Sequence, residues 1–394
     1  MSIFAKTIYL DYAATTPTDD RIFNTMKPYF SEFFTNPSSL YESSKKLADK
    51  YSECKKTVAD FFHTTPDTIT FVSGGSESIN TAIFGIARAH ATQGKHIITT
   101  KIEHSAVLES VRTLEKNGYE ITYLPVDEYG FVSVKDVVNA VRKDTILISI
   151  MHANNEIGSI QPIEEIGREI LKYRKKEKTV YPLFHVDACQ SVLYLESSVE
   201  KLHADALSCN GGKIYGPKSS GILYMRRGVK IEPLIVGGGQ QGNKRSGTID
   251  MAMVVGITEA IKLIPENSEY EKIMMMRDRF WSGIQQNVSD VILNGPQISD
   301  ERRLPNSLNV SFIGAPGEAL VLYLDAQGIC VSTGSACAED SRLGSHVLEA
   351  CGYDKPRKNS AIRFTLGKHT TEKEIDTILK VLPGIVEKVR NMNA

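Results

Sequence analysis

One lysine, set among small residues, is the first candidate for chemistry in this sequence. Lys213 lies in the glycine-rich stretch 210–218, directly after a predicted strand. A lysine there can face a cleft, and burial near other cations lowers the pKa of an amine, which makes it a nucleophile. Without these neighbours, a surface lysine is the simpler interpretation. The stretch nearly matches a phosphate-binding P-loop, but Pro217 interrupts the pattern before Lys218, so nucleotide binding is not favoured.

Two further features would complete a cofactor site around this lysine. Asp187 ends the predicted strand 183–187, where a buried carboxylate needs a cationic partner; a capping role explains it equally well when it is considered alone. Residues 73–78 form a glycine-rich turn that opens a helix, which suits a phosphate, although a purely structural turn fits as well. Pyridoxal 5′-phosphate (PLP) needs a Schiff-base lysine, a carboxylate for its pyridine nitrogen and a phosphate cradle, and the sequence offers all three.

The elements that must position these residues alternate along the chain. From about residue 69 to 225, short apolar runs alternate with amphipathic stretches. This pattern predicts βαβ units and a mainly parallel sheet covered by helices on both faces. Ligands bind such sheets at the carboxyl ends of the strands. Four polar residues fall at such ends: His104, Asn155, Asp187 and Lys213.

The pattern changes after residue 262. A polar stretch at 264–268 precedes a helical segment, two alternating strands near 308–312 and 362–366, and a final helix from about 372 to 390. We therefore predict an α/β fold with a large domain, residues 15–262, and a smaller α+β C-terminal domain, residues 263–394, onto which residues 1–14 pack.

Bulk properties narrow the functional class. The 394 residues are 41% hydrophobic and 24% charged, with a formal net charge of −1, as expected of a globular protein without a basic face for nucleic acid. No apolar run is long enough to cross a membrane, and the N-terminus does not resemble a secretory signal, so we expect a cytoplasmic location. The six cysteines include no Cys-x-x-Cys pair, and no metal site is predicted. A chain of this length does not need disulfides, and the lack of a secretory signal favours a reducing compartment.

The chain resembles the cysteine desulfurases, PLP enzymes of fold type I in the class-V aminotransferase group, over essentially its whole length. Each motif could arise by chance, but their order and spacing together are specific. The motifs that carry the resemblance are residues 9–17, 36–39, 73–78, 103–104, 151–158, 185–190, 213–218, 245–248, 334–337 and 362–364.

The resemblance implies a role for each matching position. Lys213 corresponds to the Schiff-base lysine, Asp187 to the partner of the pyridine nitrogen and His104 to the stacking histidine. The remaining positions imply contacts with the phenolic oxygen (Asn155, Gln190), the phosphate (Gly75, Ser76, Asn210, and Thr248 from the other subunit of a homodimer), the substrate carboxylate (Arg363, with Asn155) and the substrate sulfur (Cys337). Of the other cysteines, we expect Cys189, Cys209 and Cys330 to be small core residues, and Cys351 to end a helix.

The sequence departs from the commonest family pattern at four places, which involve five residues. Gly212 replaces a histidine before the lysine, Asn210 and Ser76 replace a serine and a threonine at phosphate positions, and Gln240-Gln241 replace His-Glu. Asn210 and Ser76 can still donate hydrogen bonds, whereas Gly212 cannot replace an imidazole. These changes suggest a divergent branch in which every core role is still filled.

The polar segment after Cys337 resembles the branch whose mobile cysteine loop carries sulfur to a separate acceptor. The resemblance thus implies that sulfur passes from L-cysteine to Cys337 as a persulfide, that L-alanine leaves, and that an acceptor such as an iron–sulfur scaffold or a tRNA-thiolation protein collects the sulfur. Three alternatives stay open: a selenocysteine lyase or other β-lyase, a true aminotransferase, and a non-catalytic partner protein with the same fold.

Overall fold

The computed structural model describes residues 7–264, 267–334 and 344–393, with no side-chain description at 267–269 and 393. The described α-helices are α1 (Asp20–Met26), α2 (Glu42–Phe61), α3 (Gly75–Ala89), α4 (Ser105–Lys116), α5 (Val134–Ala140), α6 (Ile163–Glu177), α7 (Met251–Lys262), α8 (Asn267–Asn287), α9 (Gly317–Asp325), α10 (His346–Ala350), α11 (Lys355–Asn359) and α12 (Glu372–Asn393). The described strands are β1 (Ile8–Tyr9), β2 (Ile69–Val72), β3 (His96–Thr100), β4 (Glu120–Leu124), β5 (Thr145–Met151), β6 (Leu183–Asp187), β7 (Ala206–Asn210), β8 (Gly221–Met225), β9 (Val291–Asn294), β10 (Ser307–Phe312), β11 (Ile329–Cys330) and β12 (Ala361–Thr365).

A seven-stranded sheet forms the centre of the fold, in the order β2-β8-β7-β6-β5-β3-β4. Its neighbouring strands run parallel except at β8, which is antiparallel to both β2 and β7. The predicted α/β class with a mainly parallel sheet is therefore confirmed. Strand β8 was not predicted, and it places β2, which leads into the turn at residues 73–78, at one edge of the sheet.

The buried strands explain why this sheet needs cover on both faces. All seven residues of β5 and all five of β6 are buried, which is typical of parallel strands packed between helices. On α3, Ile79, Ile83 and Ile86 recur at helical spacing and are at most 2% exposed. Burial of such stripes fixes the start of α3 at the edge of the sheet where the strands end.

A second apolar cluster lies around a three-stranded antiparallel sheet, β12-β10-β9. It contains Phe280 of α8 and Phe364 of β12, whose rings meet edge to face with centroids 5.0 Å apart. Leu10 belongs to the same cluster, and β1 pairs in parallel with β11. The domain limits given above stay a prediction.

None of the described helices is long and apolar enough to cross a membrane. Within the same ranges, no group of three or more His, Cys, Asp or Glu side chains is arranged to hold a metal ion.

Candidate active site

A pocket lies where β5, β6 and β7 end, and it encloses about 580 Å³ of space including its open mouth. Nine predicted site residues line it: Gly75, Ser76, His104, Asn155, Asp187, Gln190, Asn210, Lys213 and Arg363. Thr248 is exposed and does not line this pocket. Cys337 lies outside the described residues.

Lys213 projects into the pocket from a short 3-10 turn, Gly211–Lys213, that directly follows β7. Its Nζ donates hydrogen bonds to the backbone oxygens of Ala13 and Ala14, at 2.5 and 2.6 Å. Gln190 Nε2 donates to the same Ala13 oxygen at 2.9 Å. The N-terminal segment thus supplies carbonyls that hold the amine at the pocket wall, a role that was not predicted.

Asp187, the last residue of β6, is 5% exposed. Its Oδ1 accepts a hydrogen bond from the Cys189 backbone N–H at 3.0 Å. Among the described residues, no salt bridge compensates this carboxylate. A buried carboxylate without a cation is costly, so the position suits a ligand that brings a positive charge, such as a pyridinium nitrogen.

The start of α3, on another side of the pocket, has the features of an anion-binding site. Gly74 precedes the helix with φ +147°, a backbone conformation that favours glycine. No side chain caps the first turn among the described residues, so backbone N–H groups remain for a phosphate. A Cβ on Gly75 would lie 2.7 Å from Cys189 Sγ, which shows how closely α3 approaches the opposite wall.

Two of the residues that depart from the family pattern lie together at the end of β7. Asn210 Oδ1 accepts a hydrogen bond from the Gly212 N–H at 3.0 Å and so caps the turn that carries Lys213. A Cβ on Gly212 would meet Asn210 Oδ1 at 3.4 Å and Thr15 Oγ1 at 3.7 Å, which are ordinary contacts. The structure does not explain why glycine stands at this position.

His104 lies at the N-terminus of α4 and caps it. Its Nδ1 accepts a hydrogen bond from the Ala106 backbone N–H at 3.1 Å. A ring nitrogen that accepts carries no proton, so the neutral imidazole has its proton on Nε2. The ring lines the pocket with its tautomer fixed by the helix end.

Arg363 projects from β12 and is 1% exposed. Its Nη2 donates to Asp11 Oδ1 at 2.6 Å, and its Nη1 donates to the Asn155 backbone oxygen at 3.0 Å. Its Nε is buried without a partner among the described residues. A guanidinium has five N–H groups, so donors remain for a carboxylate that enters the pocket.

One acidic residue within the motifs that carry the resemblance was given no role. Glu103, beside His104, is fully buried, and burial raises the pKa of its carboxyl to about 8. Its Oε1 accepts from Thr100 Oγ1 at 2.7 Å and from the Met151 N–H at 3.0 Å.

The five described cysteines are unpaired thiols. Burial raises the pKa of Cys209 and of Cys351 to about 12, and it also raises the pKa of the thiols of Cys54, Cys189 and Cys330. Cys209 is a core residue and Cys351 follows α10, as predicted. Cys189 was wrongly predicted to be a core residue, because it follows β6 and lines the pocket; Cys330 is only partly buried.

The residues present fit PLP, because the pocket combines an amine, an uncompensated buried carboxylate, an uncapped helix start and an imidazole. The family model for class-V aminotransferases matches residues 8–378. The chain therefore belongs to this family of PLP-dependent enzymes.

Within the family, the chain is similar to cysteine desulfurases. It is 46% identical to the cysteine desulfurase IscS of Dictyoglomus turgidum over 390 residues, which covers 98% of this chain and 96% of that protein. It is 47% identical to IscS of Clostridium botulinum strain Kyoto, with the same coverage. A solved structure described as a NifS-like protein matches with a TM-score of 0.89 and 36% identity, covering 97% of this chain and all of that one. The expected fold type and family are confirmed.

Proposed function

We propose that this chain is a cysteine desulfurase that converts L-cysteine to L-alanine and leaves the sulfur as a persulfide on Cys337. The observation that carries the proposal is the pocket, in which Lys213, Asp187 and His104 lie with a buried arginine, Arg363. The curated relatives named above are desulfurases, and one solved structure similar to this chain is described as SspA in complex with cysteine, with a TM-score of 0.80, 33% identity and coverage of 93% of this chain.

Different residues of the pocket would bind different parts of PLP. Lys213 would bind the aldehyde, Asp187 would keep the pyridine nitrogen protonated, and the N-terminus of α3 with Asn210 would hold the phosphate. The His104 ring would stack on the pyridine. When bound, PLP supplies an electron sink that makes the α-hydrogen of the amino acid acidic.

This chain's own groups then bind the substrate and move its protons. Arg363 binds the carboxylate through the N–H groups that Asp11 and Asn155 leave over. Lys213 would be the base that removes the α-hydrogen of the bound amino acid. The Ala13 and Ala14 oxygens orient its Nζ on the pocket wall, and the Nε2–H of His104 is a second proton donor in the site.

The sulfur step then balances without an added oxidant. The Cys337 thiolate attacks the substrate sulfur, an S–S bond forms and the C–S bond breaks. The electron pair of the C–S bond stays with the substrate, where protonation of carbon gives alanine. Burial raises the pKa of each described cysteine, so those thiols are poor nucleophiles at neutral pH, which supports Cys337 as the acceptor.

A homodimer is part of this proposal. Thr248 is exposed and does not line its own chain's pocket, so it is available for the contact with a second copy's phosphate that the family resemblance implies. Large apolar side chains near the N-terminus are also exposed, among them Phe34 at 73% and Leu40 at 89%. Sedimentation of the holoenzyme tests the dimer, and a monomer would contradict it.

We further propose a cytoplasmic protein whose persulfide serves a sulfur acceptor, either an iron–sulfur scaffold or a tRNA-thiolation protein.

Mass spectrometry after addition of L-cysteine tests the function itself. We expect a gain of sulfur on the peptide that contains Cys337, together with release of alanine. Cys337→Ser should lose both, whereas Cys330→Ser should keep both. Persulfide on another cysteine would overturn the role of Cys337. Alanine formed only from L-selenocysteine would indicate a lyase, and unchanged turnover in Cys337→Ser would favour an aminotransferase.

A further inference from the structure

Glu156 is a buried carboxylate with no role in the steps above. It is 1% exposed, and its backbone is held on both sides. Its N–H donates to Asn154 Oδ1 at 2.8 Å, and its carbonyl oxygen accepts from Asn309 Nδ2 at 3.0 Å. The side chain therefore points in a fixed direction, although a buried carboxylate is costly to retain.

The carboxylate lies against both flanks of residues 335–344, the stretch that contains Cys337. Ser345, at the downstream flank, donates from Oγ to Glu156 Oε2 at 2.5 Å and also caps α10. At the upstream flank, a Cβ on Gly334 would lie only 2.8 Å from the same Oε2 and 3.8 Å from Ser345 Cβ. Glu156 Oε2 therefore lies close to both Gly334 and Ser345, and these two residues also lie close to each other.

The same region is joined to the arginine of the pocket. The carbonyl oxygen of Asn155, the residue before Glu156, accepts from Arg363 Nη1 at 3.0 Å. The Arg363 backbone N–H donates to the Ser332 oxygen at 2.6 Å, and Ser332 Oγ donates to the Gly334 oxygen at 3.0 Å. The upstream flank is therefore linked to Arg363 both by β12 and by the turn that contains Glu156.

We propose that Glu156 is a positioning residue that fixes Gly334 and Ser345 relative to Arg363, so that the sulfur of a bound substrate meets Cys337. The proposal rests on the function proposed above. Glu156 does not line the pocket that contains Lys213, Asp187 and the start of α3. Its loss should therefore slow the transfer of sulfur to Cys337 more than the chemistry at the α-carbon.

Ser345→Ala, which removes the hydroxyl on Glu156, tests this in the holoenzyme with two readouts. Single-turnover persulfide formation on Cys337 reports sulfur transfer, and exchange of the α-hydrogen of L-alanine with D₂O reports the pocket alone. We expect persulfide formation to slow about tenfold or more, with exchange within about twofold of wild type. Ser345→Thr keeps a hydroxyl and should restore the rate.

Ser133→Ala is the matched control, because Ser133 caps α5 in the same way without contacting Glu156; both rates should stay at wild-type values. Should Ser345→Ala not fold, Glu156→Gln carries the test with the same two readouts. Equal persulfide rates in variant and wild type, or a parallel fall of both readouts, would overturn the proposal. A wild-type protein that forms no persulfide would instead overturn the proposed function.

Discussion

Asp11 and Arg363 form an ion pair at 2.6 Å, although 352 residues separate them in the chain. The arginine side chain is 1% exposed and the aspartate 15%. The pair joins the N-terminal segment to β12 at the floor of the pocket. Because a charge left alone in such a place is poorly solvated, each partner depends on the other both for stability and for orientation.

Asp11→Ala should therefore impair both folding and substrate binding. Breaking a buried pair costs about 3 kcal/mol or more, and we expect kcat/KM for L-cysteine to fall at least about tenfold. Asp11→Asn keeps an acceptor for Nη2 and should lose less. Asp67→Ala, which removes the partner of the exposed Arg227, should change stability by about 1 kcal/mol at most. Wild-type kcat/KM in Asp11→Ala would show that the pair does not orient Arg363.

Gln241, one of the departures from the family pattern, hydrogen-bonds the backbone groups of Phe71 on the edge strand β2. Its Oε1 accepts from the Phe71 N–H at 2.8 Å, and its Nε2 donates to the Phe71 oxygen at 2.7 Å. Glutamate could make the first contact but would repel the carbonyl in the second. We expect Gln241→Glu to lower the free energy of unfolding in urea by about 1–3 kcal/mol.

Gln240→Glu is the control for that experiment, because Gln240 uses its Oε1 to accept from the Gly247 N–H at 2.9 Å. A carboxylate can accept there equally well. An equal loss of stability in the two variants would show that added negative charge, and not the amide of Gln241, is responsible.

His185 should make the fold sensitive to acid. It is fully buried between Ser149 and Ser208, which its ring nitrogens contact at 2.9 and 3.0 Å, and burial lowers its pKa to about 4. The unfolded chain takes up this proton near the ordinary value of about 6.5, so this stability is complete above that pH and is lost as the pH falls towards 4.

His185→Gln removes this titration, so its free energy of unfolding should fall less steeply between pH 6.5 and 4. For one proton the difference in slope approaches about 1.4 kcal/mol per pH unit. His152, whose pKa burial also lowers to about 4, remains in both proteins and cancels in the comparison. Parallel pH curves for variant and wild type would contradict the assignment.

Glu103 should have the opposite pH dependence. Burial raises the pKa of its carboxyl to about 8, so the folded state holds a proton that the unfolded state loses above pH 4.5. This contribution is complete at low pH and is lost as the pH rises through about 8. Glu103→Gln cannot ionise and should gain stability relative to wild type from pH 5 to 9, measured by denaturant unfolding. If the difference in stability between the variant and wild type stays constant across that range, the Glu103 carboxyl does not titrate as stated.

The sequence predicted most of the central sheet because fully buried parallel strands are continuous apolar runs. The predicted strand 183–187 coincides with β6, the strand predicted before Lys213 is β7, and the strands predicted near 308–312 and 362–366 lie within one residue of β10 and β12. Strand β8 was not predicted, because a short apolar run does not reveal whether a strand runs parallel or antiparallel to its neighbours. Its antiparallel pairing with β2 and β7 depends on contacts distant in the chain.

The site was predictable where a residue follows a strand and less so where two distant segments meet. Asp187 and Lys213 end or follow β6 and β7, so strand prediction alone places them at one edge of the sheet. The contact of Lys213 with Ala13 and Ala14, and that of Arg363 with Asp11, join segments that no local pattern relates.

The position of His104 has a consequence for how mutagenesis of this site must be interpreted. A single side chain both caps α4, through Nδ1, and faces the pocket with its ring. Replacement by alanine is in effect a double mutation, because it frays a helix as well as removing an imidazole. Asparagine can supply an acceptor for the helix start without a ring, so comparison of the two variants separates the catalytic share of the defect from the architectural one.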